Sequence, residues 1–115
     1  MGSIFTQIIE RELPAEIVYE DDLCIAFKDV NPQAPVHVLL VPKKEIVSVA
    51  AVEPGDKEML GHLIVTARKV AEMMGVSESG YRLVVNTNSD AGQSVFHLHI
   101  HILGGRRMGW PPWPT

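Results

Sequence analysis

The sequence predicts one compact domain built from short strands and a single long helix, and three stretches carry that prediction. His97, His99 and His101 alternate with Leu98, Ile100 and Ile102 in the run Phe96-His97-Leu98-His99-Ile100-His101-Ile102-Leu103, the period of a strand with one polar and one core face. From Pro54 to Met74, the apolar residues Met59, Leu60, Leu63, Ile64, Ala67, Val70, Ala71 and Met74 recur at spacings of one, three and four, the period of an amphipathic helix. Ile17 to Tyr19 and Cys24 to Lys28 are short apolar-rich segments parted by the acidic Glu20-Asp21-Asp22, a hairpin pattern.

The remaining elements follow in order. Asn31-Pro32-Gln33-Ala34-Pro35 cannot continue a central strand, because two prolines remove ladder donors, whereas Val36 to Val41 is rich in β-branched residues and stops at Pro42. His37 lies in that strand. Pro54 and Gly75 stand at the expected ends of the helix, with Glu58, His62, Thr66 and Lys69 on its polar side. That placement makes His62 a solvated surface residue. Gly61 costs the helix about 1 kcal/mol relative to alanine, either as a tolerated defect or to admit a neighbouring backbone. Tyr81 to Val85 forms a further strand, followed by Asn86-Thr87-Asn88-Ser89-Asp90-Ala91-Gly92-Gln93-Ser94. Those small and polar residues suit a turn, or a cradle for phosphate oxygens directly ahead of the histidines.

Composition narrows the function classes. The 115 residues leave room for one domain that buries roughly two-thirds of its unfolded surface, and 46% hydrophobic with 21% charged residues is ordinary for a globular chain. A net charge of −4, with basic residues scattered apart from Lys43-Lys44 and Arg106-Arg107, disfavours nucleic acid as a partner. No apolar run approaches a membrane span. Cys24 stands alone between apolar neighbours, which predicts a buried thiol in a reducing compartment, the cytoplasm by default.

Three imidazoles on one strand face admit two chemistries. His-x-His can supply two ligands to zinc, with His101 or His37 as a third. Alternatively one histidine attacks phosphorus, which requires a neutral ring with one nitrogen aimed at the phosphorus and the other held in a fixed hydrogen bond. The chain shows no obvious carboxylate beside the histidines and no second cysteine to complete a metal site.

The run from His97 to Leu103 resembles the signature of the histidine-triad superfamily. Gly92-Gln93-Ser94-Val95-Phe96 before it, Gly104-Gly105-Arg106 and Trp110-Pro111-Pro112 after it, and Asp29 to Pro35, His37 and Pro42-Lys43-Lys44 upstream are similar to its Hint branch, the histidine-triad nucleotide-binding proteins. The resemblance covers residues 3–113 as a single domain. It implies an α+β fold, with a five-stranded antiparallel sheet, one long helix and a short N-terminal helix, paired into a homodimer with a ten-stranded sheet. It further implies a purine nucleoside phosphoramidase or nucleoside monophosphate hydrolase that acts on an AMP-type or GMP-type substrate through a nucleotidyl-histidine, without a required metal.

By position, the resemblance makes His99 the nucleophile, with His97 supporting it from the backbone and contacting His37 through its side chain. His101 and Ser94 approach the phosphate and leaving group, with Gly92 and Gln93 nearby. Ile4, Phe5, Ile8, Phe27 and Val30 wall the base pocket, Asp29 holds the ribose hydroxyls beside Lys28, Asn86 contacts the phosphate or sugar region, and Trp110 belongs to a tail that shapes leaving-group choice. Lys28 and Gly109 stand where relatives often carry histidine, and the tail is extended by Trp113-Pro114-Thr115. The competing readings are a nucleotide-binding regulatory protein with vestigial hydrolysis, a dinucleoside polyphosphate hydrolase, and zinc binding.

Overall fold

The computed structural model describes residues 2–113, so Pro114 and Thr115 of the extended tail lie outside the described residues. The chain runs α1 (Ile4–Ile9), β1 (Ile17–Glu20), β2 (Cys24–Lys28), β3 (Val36–Pro42), two short 3-10 turns, α2 (Lys57–Met73), β4 (Tyr81–Val84) and β5 (Ile100–Gly104). The strands form one antiparallel sheet in the order β1-β2-β3-β5-β4. This is the α+β arrangement expected from the sequence.

Two apolar clusters sandwich the sheet. On one face α2 presents Leu63, Ala67, Val70 and Ala71 to Cys24 and Ala26 of β2, Val38 and Leu40 of β3, and Ile100 and Ile102 of β5. On the other, Phe5 and Ile8 of α1 pack on Ile25, Phe27, Leu39 and Val41. Because β2 and β3 are covered on both sides, they read as continuous apolar runs rather than as alternating ones.

The helix face is rotated from the one expected. Thr66 is buried, beside the Cys24 thiol, while Ile64 and its neighbour Val65 are exposed. A Cβ added at Gly61 meets open space, so no backbone among the described residues approaches it closely.

His62 is not the freely solvated residue expected: its Nε2 lies 2.7 Å from Asp21 Oδ2, tying α2 to the hairpin turn. Asp21 also accepts hydrogen bonds from the Tyr19 hydroxyl and from the N–H groups of Leu23 and Cys24. Burial alone would raise the Asp21 pKa, but these donors outweigh it and hold the carboxyl well below its usual range. Asp21→Ala is therefore expected to cost about 2 kcal/mol, since several donors lose one partner, read as a lower urea midpoint.

Candidate active site

The histidine strand begins later than its alternation suggests. β5 starts at Ile100, and His97 and His99 precede it. Pro42, at the end of β3, has no N–H, and its carbonyl accepts from His97 Nε2 at 2.8 Å, so the β3–β5 ladder cannot continue across it. Leu98 N–H instead donates to the Ile46 carbonyl at 2.7 Å. Side-chain alternation survives even so. Leu98 joins Ile100 and Ile102 in the α2-side core, while the His97 and His99 rings lie against Phe5 on the α1 side, at 6.1 and 4.9 Å between centroids.

Backbone groups fix the proton position on the His37, His97 and His99 rings and, through His37, on His101. A carbonyl can only accept, so His99 Nδ1, 2.7 Å from the His97 carbonyl, carries a hydrogen, and in the neutral ring Nε2 keeps the lone pair. An N–H can only donate, so His37 Nδ1, 3.0 Å from Gln33 N, is an acceptor and its Nε2 holds the proton. That proton points at His101 Nδ1, 2.9 Å away, leaving His101 Nε2 as a donor. Among the described residues no fully buried side-chain nitrogen lacks a partner. His99 Nε2 has none, so it is open to the pocket.

One expected contact is corrected by this network. The His97 side chain does not reach His37; His101 does. His97 is fully buried, donating to Pro42 and accepting from the Ser3 hydroxyl at 2.8 Å. Ser3 caps α1 by accepting from Thr6 N–H, and Glu45 accepts from both Ser3 N–H and the Thr6 hydroxyl. Hydrogen bonds from the Thr6 hydroxyl and the Ser3 amide lower the Glu45 pKa. The sequence reading missed Ser3, Thr6 and Glu45, although a serine just ahead of an apolar run is a helix-start signal.

A cavity of about 250 Å³ opens beside His99, lined by Ile4, Phe5, Ile8, Phe27, Val30 and Leu39, with Lys28, Asp29, Ser94 and His101 at its polar end. Phe5 meets the Phe27 ring edge-on at 5.5 Å. Asp29 lies 3.4 Å from His37 Nε2 and accepts from Asn31 N–H, and Lys28 pairs with Glu16 at 2.7 Å. Four expected binding residues are not among the lining. Gln93 is buried, and its amide is spent on the Val47 and Val95 carbonyls and the Asn88 N–H. Gly92, at φ +77°, shapes that turn. Asn86 and Trp110 line a different cavity along β4.

Among the described residues, potential metal-ligand atoms gather in two groups, and of the alternating triad only His101 belongs to one of them. Within 4.8 Å of one another lie those of Asp29, His37 and His101, and those of Asp21, Cys24 and His62. In the first group the His37 and His101 nitrogens already share a hydrogen bond. In the second, burial pushes the Cys24 thiol up to about 12, with Asp21 adding to the shift, so it stays protonated at neutral pH.

Burial lowers the pKa of His37, His97 and His101, in the last case to about 4, with His99 and His37 contributing there. Below pH 6.5 the unfolded chain takes up protons that the folded chain refuses. Stability from these groups is therefore complete above about pH 6.5 and lost as pH falls toward 4. The His101 shift alone corresponds to roughly 3 kcal/mol, to be read as a lower urea midpoint at pH 4.5 than at pH 7.

The sequence profile of the HIT domain matches residues 10–108. The chain belongs to the HIT family. An uncharacterised HIT-like protein of Synechocystis sp. is 59% identical over 110 residues, 96% of each chain. The crystal structure of a HIT family hydrolase from Legionella pneumophila superposes with a TM-score of 0.95 at 47% identity, covering 97% of this chain and 100% of that one. A histidine triad nucleotide-binding protein from Candida albicans matches with a TM-score of 0.82 at 26% identity, over 99% of this chain and 86% of its own. Among the described residues of this HIT-family chain, no helix is long and apolar enough to cross a membrane.

Proposed function

We propose that this HIT-family protein is a hydrolase of the Hint type, a purine nucleoside phosphoramidase that forms a covalent nucleotidyl intermediate on His99. The observation that carries this reading is the His99 Nδ1–H bond to the His97 carbonyl, which in the neutral ring leaves the lone pair on Nε2 of a residue that lines the cavity. The HIT family hydrolase from Legionella supports the reaction class, and the nucleotide-binding relative from Candida supports the ligand.

The base enters between Ile4, Phe5, Ile8, Phe27 and Val30, and Asp29 accepts hydrogen bonds from the ribose hydroxyls. About 250 Å³ lies just below the ~300–1,000 Å³ of pockets that enclose a whole ligand, which suits a nucleoside with its phosphate outside. His99 Nε2 attacks the α-phosphorus in line and the P–N bond breaks, the departing nitrogen taking up a proton from solvent water to leave as the free amine. The ring turns cationic as the N–P bond forms, so its Nδ1–H bond to the His97 carbonyl strengthens in the transition state. His101 Nε2–H and the Ser94 hydroxyl donate to the phosphoryl oxygens. Water then hydrolyses the nucleotidyl-imidazole, releasing the nucleoside monophosphate and restoring His99. No step requires a metal.

The proposed assembly is a homodimer. β4 is an edge strand of the sheet, and Leu83 on it and Val85 just after it, with Ile64 and Val65 on α2, are exposed apolar residues that a second copy would cover. Steady-state assays with adenosine and guanosine phosphoramidates, monitored by release of the monophosphate, test the activity. Turnover supports it, and binding without turnover refutes it.

A further inference from the structure

Beyond the triad, on the same sheet face, lies a cationic cleft. Paired residues on neighbouring strands share a face, and the register opposes His37 of β3 to Leu103 of β5, and Leu103 to Arg82 of β4. Arg82 therefore sits in line with His37, one residue pair along from His101. Two residues of strand span about 7 Å, so Leu103 lies roughly that far beyond His101, and the strand order places Arg82 on β4, across β3 and β5 from the Phe27 and Lys28 wall of the base pocket.

A cavity of about 510 Å³ opens there, lined by Arg82, Leu103, Arg106, Met108 and Trp113, and by Gln33, whose N–H fixes the His37 tautomer. An adjoining cleft shares Arg82, Arg106 and Met108 and adds Arg107. No carboxylate lines either cleft among the described residues. Arg11, Lys28, Lys43 and Lys44 each have an acidic partner, whereas among the described residues Arg82 and Arg106 donate only to the carbonyls of Gly109 and Arg107. A guanidinium carries five N–H donors, so most of theirs remain for a ligand. In a protein of net charge −4, three arginines lining two adjoining clefts that hold no carboxylate among the described residues mark a local anion site.

We propose that this cleft is the leaving-group subsite, and that Arg82 and Arg106 select substrates whose leaving group bears an anionic end, a carboxylate or a phosphate. The proposal rests on the hydrolase reading above. A nucleoside seated in the base pocket with its phosphorus at His99 directs its leaving group past His101 toward these arginines.

The test is a set of adenosine phosphoramidates with matched amines: β-alanine, its neutral amide, and 2-aminoethylphosphonate. The expected wild-type kcat/KM favours the anionic members over the amide by about tenfold, the scale of a charge-assisted contact at a partly exposed site. That ratio should shrink with added salt and collapse toward one in the double variant Arg82→Gln, Arg106→Gln. Preference for only one anionic member would identify the source of the negative charge. Equal rates for charged and neutral substrates in the wild type, or a ratio unchanged in the variant, would overturn the subsite while leaving the hydrolase reading intact. Hydrolysis of none of the three would overturn both.

Discussion

Replacing His99 with alanine is expected to lower turnover of an adenosine phosphoramidate by at least about a thousandfold, the usual scale for removal of a nucleophile, with nucleotide binding retained. His99 sits at the pocket mouth with its ring 4.9 Å from both Phe5 and His101. Truncation enlarges the pocket that His99 already lines instead of leaving a sealed void. Melting temperature should change little, and the dissociation constant for the monophosphate, measured by calorimetry, should stay within a few-fold. Loss of binding together with activity would mean that the ring holds the ligand rather than attacking it.

Replacing His97 with alanine should do the opposite: a large stability cost and a smaller effect on the chemical step. The ring is fully buried between the Pro42 carbonyl and the Ser3 hydroxyl. Its removal opens a void and leaves the Pro42 carbonyl without that donor, for an expected loss of about 3–4 kcal/mol, read from the urea midpoint. Phenylalanine at this position would refill the volume but not the hydrogen bonds, so it should recover only part of the loss. Because Ser3 caps the helix that carries Ile4, Phe5 and Ile8, loosening it should raise KM more than it lowers kcat. A kcat effect as large as that of His99→Ala would show that His97 acts directly on the substrate.

The contrast between these two histidines shows what the sequence could express. Alternation assigned His97, His99 and His101 to the face opposite Leu98, Ile100 and Ile102, because a strand-like chain alternates even where its ladder stops. It could not show that the ladder stops at Ile100. That depends on Pro42, a residue 58 positions earlier whose missing N–H and occupied carbonyl end the pairing. Helical periodicity located α2 but turned its face slightly. Thr66, polar by type, is buried beside Cys24, and Ile64 is exposed, because the pattern of residue types does not reveal which neighbours a helix meets.

Long-range partners were the least legible part of the site. Gln93 looked like a ligand contact by composition, yet its amide ties the loop to the Val47 carbonyl, 46 residues away. The Glu45–Ser3–His97 connection spans 94 residues at its widest and has no local signature. The arginine cleft likewise joins β4 to the segment after β5, a proximity that only the sheet order creates.

The central claim is that His99 Nε2 forms a bond to phosphorus. Intact-protein mass spectrometry, after rapid quenching at neutral or alkaline pH with an adenosine phosphoramidate, tests it directly. The account predicts one added adenylyl group on the wild type and none on His99→Ala. An adduct that persists in the variant, or turnover without any adduct under single-turnover conditions, would contradict it.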